Sequence, residues 1–228
     1  MAKKKKKRRV LKVKNIILFL LLLSLISYLI YYILNMPIKN IYISGNNIVS
    51  DEEIISLAKL EDYPSFLLTL SNSIKNNILK NEYIEKVKIK KKLGNVIEIN
   101  IIEYKPIALI NKTNEIILSN SKKIINNYNL TDVPILVNKI DNKVYDEFIK
   151  KFSEVYNNII RQISQLEYSP VTVDDERFLL YMDDGNIVYI TLTKISKLNK
   201  YNSIKSKMGE NKGILYLDSG DYIEIRKD

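Results

Sequence analysis

Ser119-Asn120-Ser121-Lys122 has the S-x-x-K spacing in which a lysine amine activates a serine hydroxyl for hydrolysis or acyl transfer. It competes with little else, because the 228 residues include no cysteine and no histidine. Disulfides, thiolate zinc sites, cysteine nucleophiles and His-based triads are thereby excluded. The motif itself carries little weight. It sits in a polar stretch, lacks the S-D-N and K-T-G companions of the Ser-Lys enzymes, and occurs in a chain rich in both residues. Asp183-Asp184-Gly185-Asn186 offers oxygen ligands for calcium but not the 1-3-5-12 carboxylate spacing of a calcium loop. A hairpin turn explains its Asp, Gly and Asn residues fully. Tyr145, Phe148 and Phe152 recur at helical spacing and read as core rather than a ligand box. No catalytic residue, metal or cofactor is expected, and no small-molecule substrate.

The elements that would position any site begin with the N-terminus. Lys3, Lys4, Lys5, Lys6, Lys7, Arg8, Arg9, Lys12 and Lys14 place nine basic residues and no acidic one ahead of Asn15. Residues 15–34 then run uncharged and mostly as Ile and Leu. At 1.5 Å per helical residue this run covers about 30 Å, the hydrocarbon thickness of a bilayer. Basic flanks stay inside, so these nine residues act as topology determinants and everything after the span lies outside the cytoplasm. The segment ends in Tyr31-Tyr32 without an A-x-A pattern, which favours an uncleaved anchor over a signal peptide. Removing the nine tail charges from 36 basic residues leaves 27 against 26 acidic ones, or +1, so nearly all of the formal +10 belongs to the tail. The outer portion carries no nucleic-acid footprint.

Outside the span, Ile41 and Ile43 mark a strand that ends at Gly45-Asn46-Asn47. Ser50-Asp51-Glu52-Glu53 is a capping box opening a helix with Ile54, Leu57 and Ala58 on one face, and a second short helix is predicted over 72–80. Val87 and Ile89 then alternate with Lys86, Lys88 and Lys90, the lysines forming a solvated face. The partner strand runs over 96–103. A three-residue loop, Leu93-Gly94-Asn95, pairs Ile89 with Ile99 and Val87 with Ile101 and sets Lys90 against Glu98; a two-residue turn would put charges in the core. The order is β-α-α-β-β.

Beyond Pro106, short strands over 108–110 and 116–118 flank a polar turn. Tyr145, Phe148, Phe152, Val155, Ile159 and Ile163 predict a helix over 144–163. A strand follows near Val171 or Arg177, and 178–182 meets 187–191 across Asp183–Asn186 as a hairpin. Ile195, Leu198, Tyr201, Ile204 and Met208 predict a second helix, followed by strands over 213–218 and 221–226.

Several stretches carry a resemblance. Ile41-Tyr42-Ile43-Ser44-Gly45-Asn46, Asn81-Glu82-Tyr83-Ile84-Glu85-Lys86-Val87 and Glu103-Tyr104-Lys105-Pro106-Ile107-Ala108 resemble the POTRA domain of the FtsQ/DivIB family of bacterial cell-division proteins and its "E-r-x-P-x-A" exit. Val133-Pro134-Ile135-Leu136, Asp184-Gly185-Asn186-Ile187-Val188, Lys197-Leu198-Asn199-Lys200-Tyr201 and Gly213-Ile214-Leu215-Tyr216-Leu217-Asp218 resemble, in order, segments of its β domain. Two departures are visible: Leu93-Gly94 where the family often has proline, and Thr191-Leu192-Thr193 where it usually has glycine.

The fold class expected is α+β: a basic tail (1–14), one transmembrane helix (15–36), a POTRA domain (37–107) and a mixed β domain with two helices (108–228). The resemblance implies a non-catalytic divisome scaffold in the cell membrane at the septum, binding other single-pass division proteins of the FtsB/DivIC and FtsL types. The alternatives are a membrane-anchored Ser-Lys envelope hydrolase and a POTRA module in protein secretion, though the latter usually carries serial POTRA domains and a long barrel. For the contact itself, the final strand alternates Ile223 and Ile225 against Tyr222, Glu224 and Arg226. Coming last, it can offer an open sheet edge for strand addition by a partner, which the resemblance also implies. Proline at Tyr222 or Glu224, whichever amide faces outward, would test it. The POTRA lysine face is the next candidate.

Overall fold

The uncharged run forms a single helix, α1 (Val13–Leu34), in the computed structural model, which describes residues 13–226. None of its side chains is buried within the protein, and its 22 residues are long and apolar enough to cross a membrane. Of the topology determinants, Lys14 lies in its exposed first turn; Lys3 through Lys12 lie outside the described residues. The backbone packs as two compact units. One gathers the described chain up to Asn46 with Ser50–Lys80 and Lys86–Ile101; the other gathers Asn47–Val49, Asn81–Glu85 and the chain from Ile102 onward.

Following α1 come β1 (Asn40–Ser44), α2 (Asp51–Ala58), α3 (Ser71–Ile78), β2 (Ile84–Lys92) and β3 (Val96–Glu103). The strands form a sheet ordered β1-β3-β2, with β1 parallel to β3 and Ile41 and Ile43 opposite Ile97 and Ile99. The cap at α2 forms as the sequence dictates: Ser50 Oγ accepts the amide of Glu53 at 3.2 Å. Ile54, Ile74, Ile78, Ile97 and Ile99 are buried, so the apolar faces of both helices and of β3 are withdrawn from water. The β2–β3 turn occupies Leu93-Gly94-Asn95, the three residues expected. The lysine that reaches Glu98 is Lys92 rather than Lys90. Gly45 is required where it stands: its φ is +87°, and a Cβ would lie 2.1 Å from the Ile101 carbonyl oxygen.

The second unit contains β4 (Pro106–Ile110), β5 (Glu115–Leu118), β6 (Lys123–Ile125), β7 (Ile135–Leu136), α4 (Asn142–Ser153), α5 (Asn157–Ile160), β8 (Ile163–Tyr168), β9 (Arg177–Met182) and β10 (Ile187–Thr191). A 3-10 helix (Leu192–Lys200), α6 (Tyr201–Met208), β11 (Gly213–Tyr216) and β12 (Tyr222–Ile225) complete it. Its nine strands run in the order β12-β11-β10-β9-β8-β7-β4-β5-β6. Phe148 and Phe152 of α4 pack on Phe178, the Phe148 and Phe178 rings lying 5.1 Å apart, in a core shared with Leu180, Val188, Ile190, Leu198 and Tyr201.

The long helix expected over 144–163 stops at Ser153, and Ile163 begins a strand. No proline or glycine ends it. Distant side chains take the backbone groups that a continuing helix would use. The ammonium of Lys105 bonds the carbonyls of Ser153 and Val155, and Asn199 Oδ1 accepts the Tyr156 amide at 2.8 Å. The predicted second helix is likewise divided, with a 3-10 stretch ahead of α6.

Candidate partner-binding edge

β12 occupies one edge of the nine-stranded sheet and pairs antiparallel with β11, Tyr222 opposite Tyr216 and Glu224 opposite Ile214. The Arg226 amide donates to the Lys212 carbonyl at 2.9 Å, just past the end of β12. Antiparallel pairing alternates, so the amides of Glu224 and Tyr222 also face β11, and those of Ile223 and Ile225 face the open edge. The proline test therefore moves from Tyr222 or Glu224 to Ile223 and Ile225. Both isoleucine side chains are exposed, at 39% and 43%. The edge presents an unpaired row of N–H and C=O groups beside two uncovered apolar side chains.

A stacked ladder leads to it across the opposite side-chain face. The Arg177 guanidinium lies 3.9 Å from the Tyr189 ring centre, Tyr189 stacks on Tyr216 at 5.3 Å, and Tyr216 stacks on Tyr222 at 4.5 Å. Arg177 is also paired with Asp218 at 2.7 Å. Burial pushes the Asp218 carboxyl up, but the hydrogen bond and charge of Arg177 and the hydroxyl of Ser219 outweigh it and hold the group below its ordinary value. Lys197 pairs with Asp221 at 2.5 Å, and Lys194 donates to the Asp218 carbonyl at 2.6 Å. Charges along the strand are thus partly engaged by their own neighbours: Asp221 with Lys197, and Glu224 with the Tyr216 hydroxyl at 3.2 Å. Lys227 and Asp228 lie outside the described residues.

The edge is held from behind by a buried polar knot built from three of the stretches that carry the resemblance. Asn186 Oδ1 accepts the Gly213 amide at 2.8 Å, and its Nδ2 donates to the Tyr201 hydroxyl at 2.9 Å. That hydroxyl donates to both Asp184 oxygens, at 2.8 and 2.9 Å, and Lys205 closes the group at 2.8 Å from Asp184. Burial raises the Asp184 carboxyl, yet hydrogen bonds from Lys205, Tyr201 and the Asn186 amide leave it below the usual carboxylate range. Burial, with Asp184 beside it, pushes the Tyr201 phenol well up. A Cβ at Gly213 would lie 2.6 Å from the Glu224 carbonyl oxygen, so only glycine lets β12 approach. Sequence reading found these segments by order and resemblance; it did not find that they converge. A similar role falls to Glu103, whose carboxylate accepts the amides of Asn47, Ile48 and Val49 at 2.9 to 3.1 Å.

The chemical alternatives find no such arrangement. Ser119 Oγ accepts the Lys105 amide at 3.1 Å, Lys122 is exposed, and no hydrogen bond joins the two side chains. Asp184 of the acidic turn is committed to Tyr201 and Lys205. Among the described residues, no cluster of three or more Asp or Glu side chains could hold a metal ion. A cavity of about 790 Å³ does lie between β4, β7 and the start of α4, lined partly by Ile117, Leu136 and Tyr145, with the Tyr145 hydroxyl buried and unpartnered.

One apolar N-terminal helix long enough to cross a membrane, a β-α-α-β-β unit and a nine-stranded sheet ending in an open strand define an α+β protein of the POTRA-bearing, DivIB-like class. The FtsQ-type POTRA domain family matches residues 36–104. The cell division protein DivIB of Bacillus subtilis is 32% identical over 228 aligned residues, covering 96% of this chain and 87% of that protein. DivIB of Bacillus anthracis is 28% identical, with 96% and 85% covered. The major extracytoplasmic domain of DivIB from Geobacillus stearothermophilus aligns at 23% identity and a TM-score of 0.38, covering 46% of this chain and 92% of that one. The chain belongs to the FtsQ/DivIB family of cell-division proteins.

Proposed function

We propose that this protein is a non-catalytic divisome scaffold that captures another division protein by strand addition at β12. The observation that carries the reading is the outward row formed by the Ile223 and Ile225 backbone groups, flanked by the Tyr189–Tyr216–Tyr222 ladder. An added strand would gain main-chain hydrogen bonds along the row, and the exposed isoleucines and Tyr222 would select its side chains. The partners are single-pass proteins of the FtsB/DivIC and FtsL types. The protein sits once in the cell membrane at the septum, its tail cytoplasmic and its POTRA (37–107) and β (108–228) domains outside. The charge asymmetry around 15–34 supports that orientation.

The test uses the full-length protein in detergent or nanodiscs. Ile223→Pro and Ile225→Pro each remove an outward donor without touching a bond to β11. Recovery of the DivIC-like protein should collapse, with the thermal midpoint of the free protein nearly unchanged. Undiminished capture by both variants would place the contact elsewhere, with Lys86, Lys88 and Lys90 next to be examined. A periplasm-type reporter fused after Asp228 should be active and one inserted before Val10 silent; the reverse pattern would remove the topology.

A further inference from the structure

The leucines that follow Pro64 are exposed beside the end of the helix that crosses the membrane. Leu68 is 60% and Leu70 64% exposed, and Leu67 is also uncovered. Hydrogen bonds fix this loop to the residues leaving α1. The Phe66 amide donates to the Met36 carbonyl at 2.8 Å, the Ile38 amide to Pro64 at 3.0 Å, and Ser65 Oγ to the Leu34 carbonyl at 2.5 Å. The β2–β3 turn is fixed to the same place: Asn95 Nδ2 donates to the Pro37 carbonyl and the Lys39 amide to the Asn95 carbonyl, both at 2.9 Å. At the tip of that turn Leu93 is 99% exposed. Lys91 lies between the two, its ammonium bonded to the Phe66 carbonyl and 4.8 Å from the Phe66 ring centre.

We propose that loop 63–70 and the Leu93 turn form a lipid-contacting foot, seating four leucines in the outer interface of the bilayer that α1 spans. The inference rests on α1 as a membrane span and is independent of the β12 reading. Exposed apolar side chains gathered in one place mark an interaction surface. Lipid is the occupant because the two turns are tied to the last residue of α1 and to those that leave it, at the level where the hydrocarbon ends. The backbone suits that occupant too. The amides of Phe66, Leu68 and Thr69 are already bonded within the unit, so these three donors are satisfied before the loop meets the interface.

The cysteine-free chain allows a direct test in the intact protein. Single variants Leu68→Cys and Leu93→Cys are labelled with an environment-sensitive fluorophore in nanodiscs containing nitroxide-bearing lipids. Ser24→Cys, midway along α1, reports the span; Glu52→Cys reports water, since α2 begins beyond the far end of β1, where Asn46 Nδ2 meets Asp51 at 2.8 Å. Lipid quenching at Leu68→Cys and Leu93→Cys should exceed that at Glu52→Cys roughly threefold, with weak quenching by aqueous iodide. Replacing the remaining loop leucines, Leu67→Ser with Leu70→Ser, should lower lipid quenching at Leu68→Cys. If Ser24→Cys is quenched by lipid while both leucine positions behave like Glu52→Cys, the foot stands in water and the inference fails. Protection from lipid and iodide alike would mean that protein covers the leucines and would also overturn it. An unquenched Ser24→Cys would remove the span, and the foot with it.

Discussion

Loop 63–70 and strand β12 both leave large apolar side chains exposed, and their backbones differ. Around loop 63–70 the leucines project from a chain in which the amides of Phe66, Leu68 and Thr69 are bonded to Met36 and Ser65. Along β12 the isoleucines project from a strand with every second amide free. An apolar surface on satisfied backbone suits hydrocarbon, which offers no hydrogen-bond partners. The same surface on open backbone suits a peptide strand, which offers both. Backbone accounting, more than hydrophobicity, separates the two.

The comparison breaks most visibly at β12. Ile225→Pro should reduce partner capture by about two orders of magnitude or more, as expected where main-chain bonds hold an added strand. Lipid quenching at the Leu68→Cys position should not change in the same variant, and a loss there would join two sites held to be separate. Gly213→Ala comes next. Its Cβ would meet the Glu224 carbonyl oxygen at 2.6 Å and push β12 off β11. Capture should fall at least tenfold, equivalent to about 1.4 kcal/mol of binding, with hydrogen exchange accelerated in β12 but unchanged in β3.

Asn186→Ala tests the knot behind the edge. It leaves the Gly213 amide without its buried partner and takes one donor from the Tyr201 hydroxyl, which keeps Asp184, a loss of about 1–3 kcal/mol measured by urea unfolding. A loss below about 0.5 kcal/mol would mean the knot does not hold the strand. A smaller effect follows from Lys105, whose ammonium burial lowers from 10.5 to about 8. Between those values the unfolded chain holds a proton that the folded chain lacks, so stability should rise with pH across that window. The phenols of Tyr145, Tyr181 and Tyr201 are raised and act oppositely, so stability should turn down above about pH 10. Lys105→Met should flatten the rise and spare the downturn. The smallest effect belongs to Tyr222→Ala, which removes the outer rung of the ladder and should cost the free protein about 0.5–1.5 kcal/mol.

What the sequence determined by itself lay in local signals. The uncharged run became α1, Ser50 capped α2, Asp183-Asp184-Gly185-Asn186 turned the β9–β10 hairpin, and Tyr222 to Ile225 formed the last strand. Each depends on neighbours a few residues apart, where capping, turn chemistry and alternation act. Tertiary structure decided the rest. The apolar period from Tyr145 to Ile163 continues across a helix that ends at Ser153, because Lys105 and Asn199 supply its backbone partners from elsewhere in the chain. Strand β8 was hidden in that same period. Which amides of β12 face outward was undetermined until pairing with β11 set the register, since alternation alone gives two answers. Asp184, Asn186, Tyr201 and Gly213 could be read as a turn, a helix face and a strand start. Their convergence is a long-range fact, because a buried amide takes whatever donor and acceptor the packed chain brings to it.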